Sequence, residues 1–211
     1  MAMRADARRN YEQLLAGARE LIAERGAQVP LDDVAREAGV GIATLYRRFP
    51  DRDALLRAVV LDALQRTREA AEEAAASADP FEALATYLRR ALELRVAAVM
   101  PQVLDVIDPG DVEVAEARDA SVKAITALVD AAHESGDLPA DVTFLDVGMM
   151  LVRIARPLPG AMPAELKDDL ARRHLDLFIR GLRAGDTALS GPALDRDELA
   201  ALVADEESTS P

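Results

Sequence analysis

Three consecutive residues near the front of the chain, Tyr46, Arg47 and Arg48, combine an aromatic hydroxyl with two guanidinium groups. They follow Thr44 in the stretch AREAGVGIATLYRRFPDRDALL, which runs from position 35 to position 56. Arginine donates to phosphate through a planar fork of N–H groups, and hydroxyl groups also donate to phosphate oxygens. This spacing therefore predicts a surface that contacts a polyanion.

The residues around this triplet are predicted to form one short helix. At about 100° per residue, Ile42, Leu45 and Phe49 fall on a single face and form its buried side. Ala43 and Arg47 point most nearly away from that side, and the helix contains no acidic residue. A helix that met only solvent would more often mix both signs of charge. The small, hydroxylated and cationic side is therefore a candidate binding surface.

Arg52 stands in the first turn of the next predicted helix, where a cation opposes the helix dipole. One interpretation is a phosphate site, formed by the side chain together with the free N–H groups of the helix start. The other is a surface contact with Asp53 or a glutamate. The sequence leaves both interpretations open.

The net charge of the chain is −13, which by itself argues against a nucleic-acid partner because phosphate binding needs clustered cations. The charge is unevenly distributed, since residues 1–60 contain ten arginines against nine acidic residues and most of the acid lies behind them. An acidic body would suppress non-specific binding and leave a short docking surface at the front.

Apolar residues recur at helical spacing along the chain, and we find no period-two strand pattern. Two short helices separated by Gly39-Val40-Gly41 form a helix-turn-helix, which a longer first helix completes. In the body, FEALATYLRRALELRVAAVMPQVLDVI predicts a helix that kinks or restarts at Pro101. DVTFLDVGMMLVRIAR is apolar nearly all round, which predicts burial on one side against the core and on the other against a second copy.

The stretch VPLDDVAREAGVGIATLYRRFPDRDALLRAVV resembles the DNA-binding head of the TetR family of transcriptional regulators, in its AGV turn, its TLY..F helix and its capped fourth helix. The variant GVGI.TLYR.FP is similar to one subgroup of that family. The resemblance covers about the first 60 residues and implies an all-α fold of about nine helices. We expect a helix-turn-helix DNA-binding domain at 1–52, a helical regulatory and dimerisation domain at 53–185 and an acidic C-terminal tail at 186–211.

The resemblance also implies a set of DNA-binding residues, which are Arg8, Arg9, Gly41, Ile42, Ala43, Thr44, Tyr46, Arg47, Arg48 and Arg52. Thr44 and Tyr46 would contact backbone phosphates, and Arg52 would clamp another. The first residues of the helix would lie at the base edges, with Arg47 and Arg48 on or beside the groove. The two N-terminal arginines would form an arm over the backbone, although ordinary solvated charge explains them equally well.

Two features depart from the pattern of the family. Many relatives have a serine or threonine at the positions of Pro30 and Gly41, where a hydroxyl can cap a helix or touch phosphate. Asp32 and Asp33 would repel phosphate unless they face aside. Both departures concern the backbone contact that the second helix would provide.

By the same resemblance, helices near 141–156 and 164–184 would form a homodimer interface that includes Leu145, Met149, Val152, Leu170, His174, Phe178 and Leu182. A small effector is expected among the helices of the body, where polar or adaptable side chains on apolar stripes give the candidates Tyr87, Arg95, Met100, His133 and Arg153. Each of these candidates is also explained as ordinary core or as an interface pair.

These features predict a cytoplasmic, ligand-responsive transcriptional regulator, by family default a repressor, that binds a palindromic operator as a homodimer. We expect no cofactor, no metal, no membrane partner and no enzymatic activity, since there is no cysteine and His133 and His174 have no metal-binding spacing. The alternative is a helical small-molecule-binding or interaction protein whose head has lost DNA binding.

Overall fold

The computed structural model describes residues 2–103, 106–156, 158, 162–183, 189–191, 193–194 and 198. Within these residues the chain forms nine α-helices and no strand, which confirms the predicted all-α fold. The helices are α1 (Ala2–Arg25), α2 (Leu31–Glu37), α3 (Ile42–Arg48), α4 (Arg52–Ala74), α5 (Pro80–Glu93), α6 (Val96–Val103), α7 (Val112–Glu134), α8 (Phe144–Ala155) and α9 (Ala164–Leu182).

The helices α1, α2 and α3 form a small head around a shared apolar core. Val34 from α2 and Leu45 from α3 are completely buried. Gly17 allows α1 to approach α2 closely, because a β-carbon there would lie 3.1 Å from the backbone nitrogen of Ala38. Gly39 has a φ of +65°, which a residue with a side chain rarely adopts, and it makes the turn between α2 and α3.

The long helix α4 connects the head to the body. Asp51 caps its start by accepting a hydrogen bond from the Ala54 N–H at 2.8 Å. Its first half, including Leu55 and Val59, packs into the head core, and its second half, including Ala71, packs into the core of the body. The two cores are therefore joined by one continuous helix.

The body differs from the sequence prediction where α5 ends. The chain breaks between α5 and α6 at Arg95, whose φ is +54°, whereas Pro101 lies inside α6. The Arg95 side chain forms ion pairs with Glu20 of α1 at 2.8 Å and with Asp168 of α9 at 3.1 Å. These tertiary contacts accompany the strained backbone, and no local sequence pattern could reveal them. The prediction of a restart at Pro101 was wrong, because Pro101 lies inside α6, and a kink there stays a prediction.

The helix α8 begins with a capping box in which Thr143 and Asp146 satisfy each other's backbone N–H groups. Val147 and Leu151 are buried against the body, but Met149 and Met150 on the other side are 43% and 38% exposed. Only one of the two sides predicted to be buried is covered within a single chain. None of the described helices is long and apolar enough to cross a membrane. The predicted acidic tail lies almost entirely outside the described residues.

Candidate nucleic-acid interface

The outward surface of α3 carries the side chains that the sequence singled out. Leu45 is fully buried and anchors the helix, whereas Tyr46 is 50% exposed. Ala43, Arg47 and Arg48 are also exposed, and no side chain caps the helix at its start. An α-helix fits the major groove of B-form DNA, and a small residue near its start permits close approach to the base edges. The geometry therefore suits insertion into that groove.

Two of the predicted contact residues are hydrogen-bonded to each other. The Arg47 Nη2 donates to the Thr44 Oγ1 at 2.7 Å. This contact fixes the guanidinium along the exposed side of α3 and leaves its remaining N–H groups free to donate. Arg47 is thus held in place on the surface that would meet a base edge.

Arg48 lies over the ring of Tyr11, with 4.6 Å between its Cζ atom and the ring centroid. The same ring stacks on Phe49 at a centroid separation of 5.7 Å. This arrangement holds the end of α3 against α1 through a cation–π contact and an aromatic pair. The sequence analysis did not single out Tyr11, because only the folded structure brings its ring under Arg48.

Arg52 is engaged within the protein. Its Nη1 donates to the Ala27 carbonyl at 2.9 Å and to the Val29 carbonyl at 2.7 Å. The side chain therefore fastens the turn between α1 and α2 to the start of α4, and carbonyl oxygens compensate a cation that opposes the helix dipole. The observed partner is not the surface carboxylate that we considered from the sequence. A phosphate contact by Arg52 stays a prediction.

The two arginines near the start of α1 are paired. Arg8 forms an ion pair with Glu12 at 2.8 Å, and this hydrogen bond raises the pKa of the guanidinium. Arg9 pairs with Asp6 in the same exposed segment. Surface pairs of this kind contribute little to stability and exchange readily for other partners. Both arginines therefore remain accessible to an anion such as a phosphate.

The acidic pair at the start of α2 is partly neutralised. Asp33 accepts a hydrogen bond from Arg36 at 2.7 Å and another from Arg25 at 3.3 Å. Asp32 is exposed, and nothing in the structure explains its presence in the head. The repulsion of phosphate that the sequence suggested is weakened at one of the two aspartates.

The five candidate effector residues do not come together at one site. Tyr87 is buried in the body core, where burial raises the pKa of its hydroxyl. Met100 packs against the head core, and His133 Nε2 lies 3.0 Å from the Val142 carbonyl oxygen. Arg95 and Arg153 both line a cavity of about 910 Å³ between the body and α1. Sequence reasoning missed most of that cavity, because its lining comes from distant parts of the chain.

The candidate dimer residues lie mostly on the outward sides of α8 and α9. Met149 and His174 are exposed, and four others are half-buried: Leu145, Val152, Leu170 and Phe178. Leu182 is buried in the core of its own chain. Apolar residues that the sequence list omitted are also exposed on these helices, namely Met150, Leu166 and Leu177. The periodic pattern alone could not distinguish the inner from the outer apolar side of these helices.

A three-helix head with an exposed, cationic second helix of a helix-turn-helix defines a DNA-binding regulator. The model of "Bacterial regulatory proteins, tetR family" matches residues 14–59, and that of "Transcriptional regulator SbtR-like, C-terminal domain" matches residues 79–184. The chain belongs to the TetR family of transcriptional regulators. A search of curated protein sequences finds no match.

Solved structures agree with this assignment. The TetR regulator SCO0520 from Streptomyces coelicolor is 33% identical, with a TM-score of 0.59 over 82% of this chain and 97% of that one. A TetR regulator from Mycobacterium vanbaalenii is 31% identical, with a TM-score of 0.59 over 86% and 99% of the two chains. PfmR from Thermus thermophilus is 25% identical, with a TM-score of 0.55 over 81% and 99%. These proteins are transcriptional regulators.

Proposed function

We propose that this protein is a ligand-responsive repressor that binds a palindromic operator as a homodimer in the cytoplasm and has no catalytic role. The observation that carries the proposal is the outward surface of α3, where Tyr46, Arg47 and Arg48 are exposed on a helix without acidic residues. In B-form DNA, arginine donates in bidentate fashion to the guanine edge, and hydroxyl groups donate to phosphates.

The outward sides of α8 and α9 support the homodimer. Leu166 and Leu177 are 45% and 54% exposed, and Met149 and Met150 lie uncovered on the neighbouring helix. Exposed apolar groups that cluster on adjacent helices mark interaction surfaces. A two-fold pair would place two copies of α3 against half-sites about 34 to 36 Å apart, or a multiple of that distance.

Regulation requires an effector to favour one arrangement of the two heads over another. Two ion-paired junctions connect the α1–α4 region to the body: Arg57 of α4 with Asp111 at 2.5 Å and Arg95 with Glu20 at 2.8 Å. A ligand that alters either junction would change the position of the head. In this proposal, ligand binding lowers operator affinity by populating a head separation that does not match the half-sites.

Selection of bound fragments from random duplex DNA at near-physiological salt tests the proposal. We expect a two-fold symmetric sequence to be enriched by the purified dimer. The double variant Arg47→Ala/Arg48→Ala is the control, and it should enrich nothing while retaining the dimer. If the unmodified dimer is folded and still enriches no sequence, the alternative of a helical binding or interaction protein whose head has lost DNA binding is favoured. The internal hydrogen bonds of Arg47 and Arg52 would then be their principal roles.

A further inference from the structure

The cavity between the body and α1 has an apolar wall and a charged wall. Its volume is about 910 Å³, which lies near the upper end of the range for small-molecule sites. Met150 and Ile154 of α8 and Leu177 and Phe178 of α9 form part of the apolar wall. Residues of α1, α5 and α6 also line it, together with Arg95 between α5 and α6 and with Leu158 and Met162 between α8 and α9. A ligand there would contact the head helix α1 and the body together.

The charge of the lining is opposite to that of the whole chain. The chain carries a net charge of −13, yet the cavity is lined by six cationic side chains, Arg25, Arg95, Arg153, Arg156, Lys167 and Arg172. Three acidic side chains, Glu24, Glu93 and Asp168, also line it. Arg153, Arg156 and Arg172 are exposed at this site, and a local excess of cations on an acidic protein attracts anions.

Half of these cations have no partner among the described residues. Arg25 pairs with Asp33, Arg95 with Glu20 and Asp168, and Arg172 with Asp169. By contrast, three of the six form no ion pair or hydrogen bond within the part of the chain that the structure describes: Arg153, Arg156 and Lys167. The lining acid Glu93 is already held by Arg90 at 2.9 Å.

The start of α9 adds to this environment. Ala164, its first residue, lines the cavity, and the preceding Pro163 provides no side-chain cap. The first-turn N–H groups of a helix favour negative charge when no side chain satisfies them. Lys167 lies one turn further along the same helix. The charged wall therefore combines unpaired cations with an uncapped helix start.

We infer that this cavity binds an amphiphile with a single anionic head group, either a carboxylate or a phosphate, and an apolar chain. The head group would lie against Arg153 and Lys167, and the chain would pack along Leu92, Ala98 and Ile154, which the proposed dimer leaves free. The regulatory part of this inference rests on the proposed function. An anion near Arg95 competes with Glu20 and Asp168 for its guanidinium, which weakens a link between α1 and α9.

Titration calorimetry of the full-length protein without DNA tests binding independently of any operator. The probes are dodecanoate, dodecyl phosphate, dodecanol and dodecyltrimethylammonium, each kept below its micelle concentration. We expect an anionic probe to bind at least about tenfold more tightly than dodecanol, because a charge-assisted hydrogen bond forms only with the anion. The ratio of the two anionic probes distinguishes a carboxylate ligand from a phosphate ligand. Equal affinity for dodecanol, or tighter binding of the cation, overturns the inference.

Charge-removing variants locate the site. Arg153→Gln and Lys167→Gln should each weaken binding of the anionic probe by about tenfold and leave dodecanol binding unchanged. Arg118→Gln and Lys123→Gln are the matched controls, since both cations lie on α7 outside the cavity lining. Equal losses in the controls, or no loss in the first pair, overturn the assignment of the site. Absence of binding by every probe also overturns the inference.

A second measurement separates this inference from the proposed function. If the protein enriches an operator, the anionic probe should release it, and Lys167→Gln should raise the probe concentration required. If the protein enriches no operator, the calorimetric result still decides whether the site exists. Tight anion binding without release from an enriched operator overturns the regulatory part of the inference.

Discussion

The outward sides of α3 and of α8 and α9 expose different chemistry. On α3 the apolar Leu45 is fully buried, and the exposed side chains are polar or small. On α8 and α9, Met149 and Leu177 are 43% and 54% exposed, although other apolar residues of the same helices are buried. The first surface is compatible with water, whereas the second exposes large apolar groups to it.

This difference indicates which kind of partner each surface suits. A cationic, hydroxylated surface remains stable in solution and binds reversibly when DNA is present, with an affinity that falls as salt rises. Burial of an apolar surface lowers the free energy of the protein, so such a surface suits a stable interface with a second copy of the same chain. The head is thus suited to exchange and the α8–α9 side to stable assembly.

The largest expected effect comes from Leu177→Glu, which places a charge on the exposed apolar surface of α8 and α9. A carboxylate at the proposed interface would be buried without a partner, so the dimer should dissociate. Separate monomers read one half-site each, and operator affinity should fall by roughly a hundredfold or more. Light scattering would report the oligomeric state, and fluorescence anisotropy with the selected operator would report affinity.

The matched control for this change is Val112→Glu. Val112 is 68% exposed at the first position of α7, away from α8 and α9, and a carboxylate there agrees with the helix dipole. It should leave the dimer and operator binding intact. A Leu177→Glu protein that remains dimeric with unchanged affinity would mean that another surface forms the dimer.

Arg52→Ala tests how much the head, which must be stable without DNA, depends on the internal hydrogen bonds of this side chain. The variant loses two hydrogen bonds from the guanidinium to the carbonyls of Ala27 and Val29, and those acceptors lose a charged donor. We expect the free energy of unfolding to fall by about 2 kcal/mol. Urea unfolding measures this loss.

Operator binding of the same variant separates a structural role from a phosphate contact. If Arg52 also binds phosphate, the dependence of log affinity on log salt should flatten by about one unit. Arg36→Ala is the control, since Arg36 makes an exposed pair with Asp33 that contributes about 0 to 1 kcal/mol. An unchanged salt slope would leave Arg52 with its structural role and contradict the phosphate prediction.

The head was predictable from the sequence because its determinants are close together in the chain. The stretch from residue 35 to residue 56 contains the turn, the buried side of α3 and its exposed cations, and the structure places them as expected. The partner of Arg52 was not predictable, since the Ala27 and Val29 carbonyls belong to backbone that no residue pattern marks.

The body was less predictable for the same physical reason. Its helices follow from periodicity, but the break at Arg95 depends on acids in α1 and α9 that are distant in sequence. The cavity likewise combines residues from α1, α5, α6, α8 and α9, so Lys167 could not be recognised as part of it. A periodic pattern identifies which side of a helix is apolar but not which other helix will cover it.

Arg47→Ala tests whether the exposed side of α3 contacts base edges rather than only phosphates. Removal of the guanidinium eliminates both a base contact and the hydrogen bond to Thr44, while Tyr46 remains exposed. We expect the ratio of operator affinity to random-DNA affinity to fall by about tenfold, since one good base contact contributes on the order of 1 to 3 kcal/mol. Equal losses on both DNAs would assign Arg47 to a phosphate instead.

The smallest expected effect concerns the ion pair between Arg57 of α4 and Asp111 at the start of α7. Asp111 caps α7 through the Val114 N–H at 3.1 Å and accepts a 2.5 Å hydrogen bond from Arg57 of α4. The Arg57 hydrogen bond, followed by the N–H of Val114, holds the pKa of Asp111 below its ordinary value. Because the pKa is lower in the folded state, this stabilisation is present above about pH 4 and is lost as pH falls through the folded value.

Asp111→Asn should therefore lower Tm at neutral pH, and the difference from the unmodified protein should shrink when both are measured near about pH 3. Asp119→Asn is the control, since Asp119 is exposed on the same helix and has no partner among the described residues. A Tm difference that stays constant with pH would attribute the effect to helix capping rather than to the charge on Asp111. A loss that follows the ionisation of the carboxylate instead would show that the charge of the Arg57–Asp111 pair stabilises the link between α4 and the body.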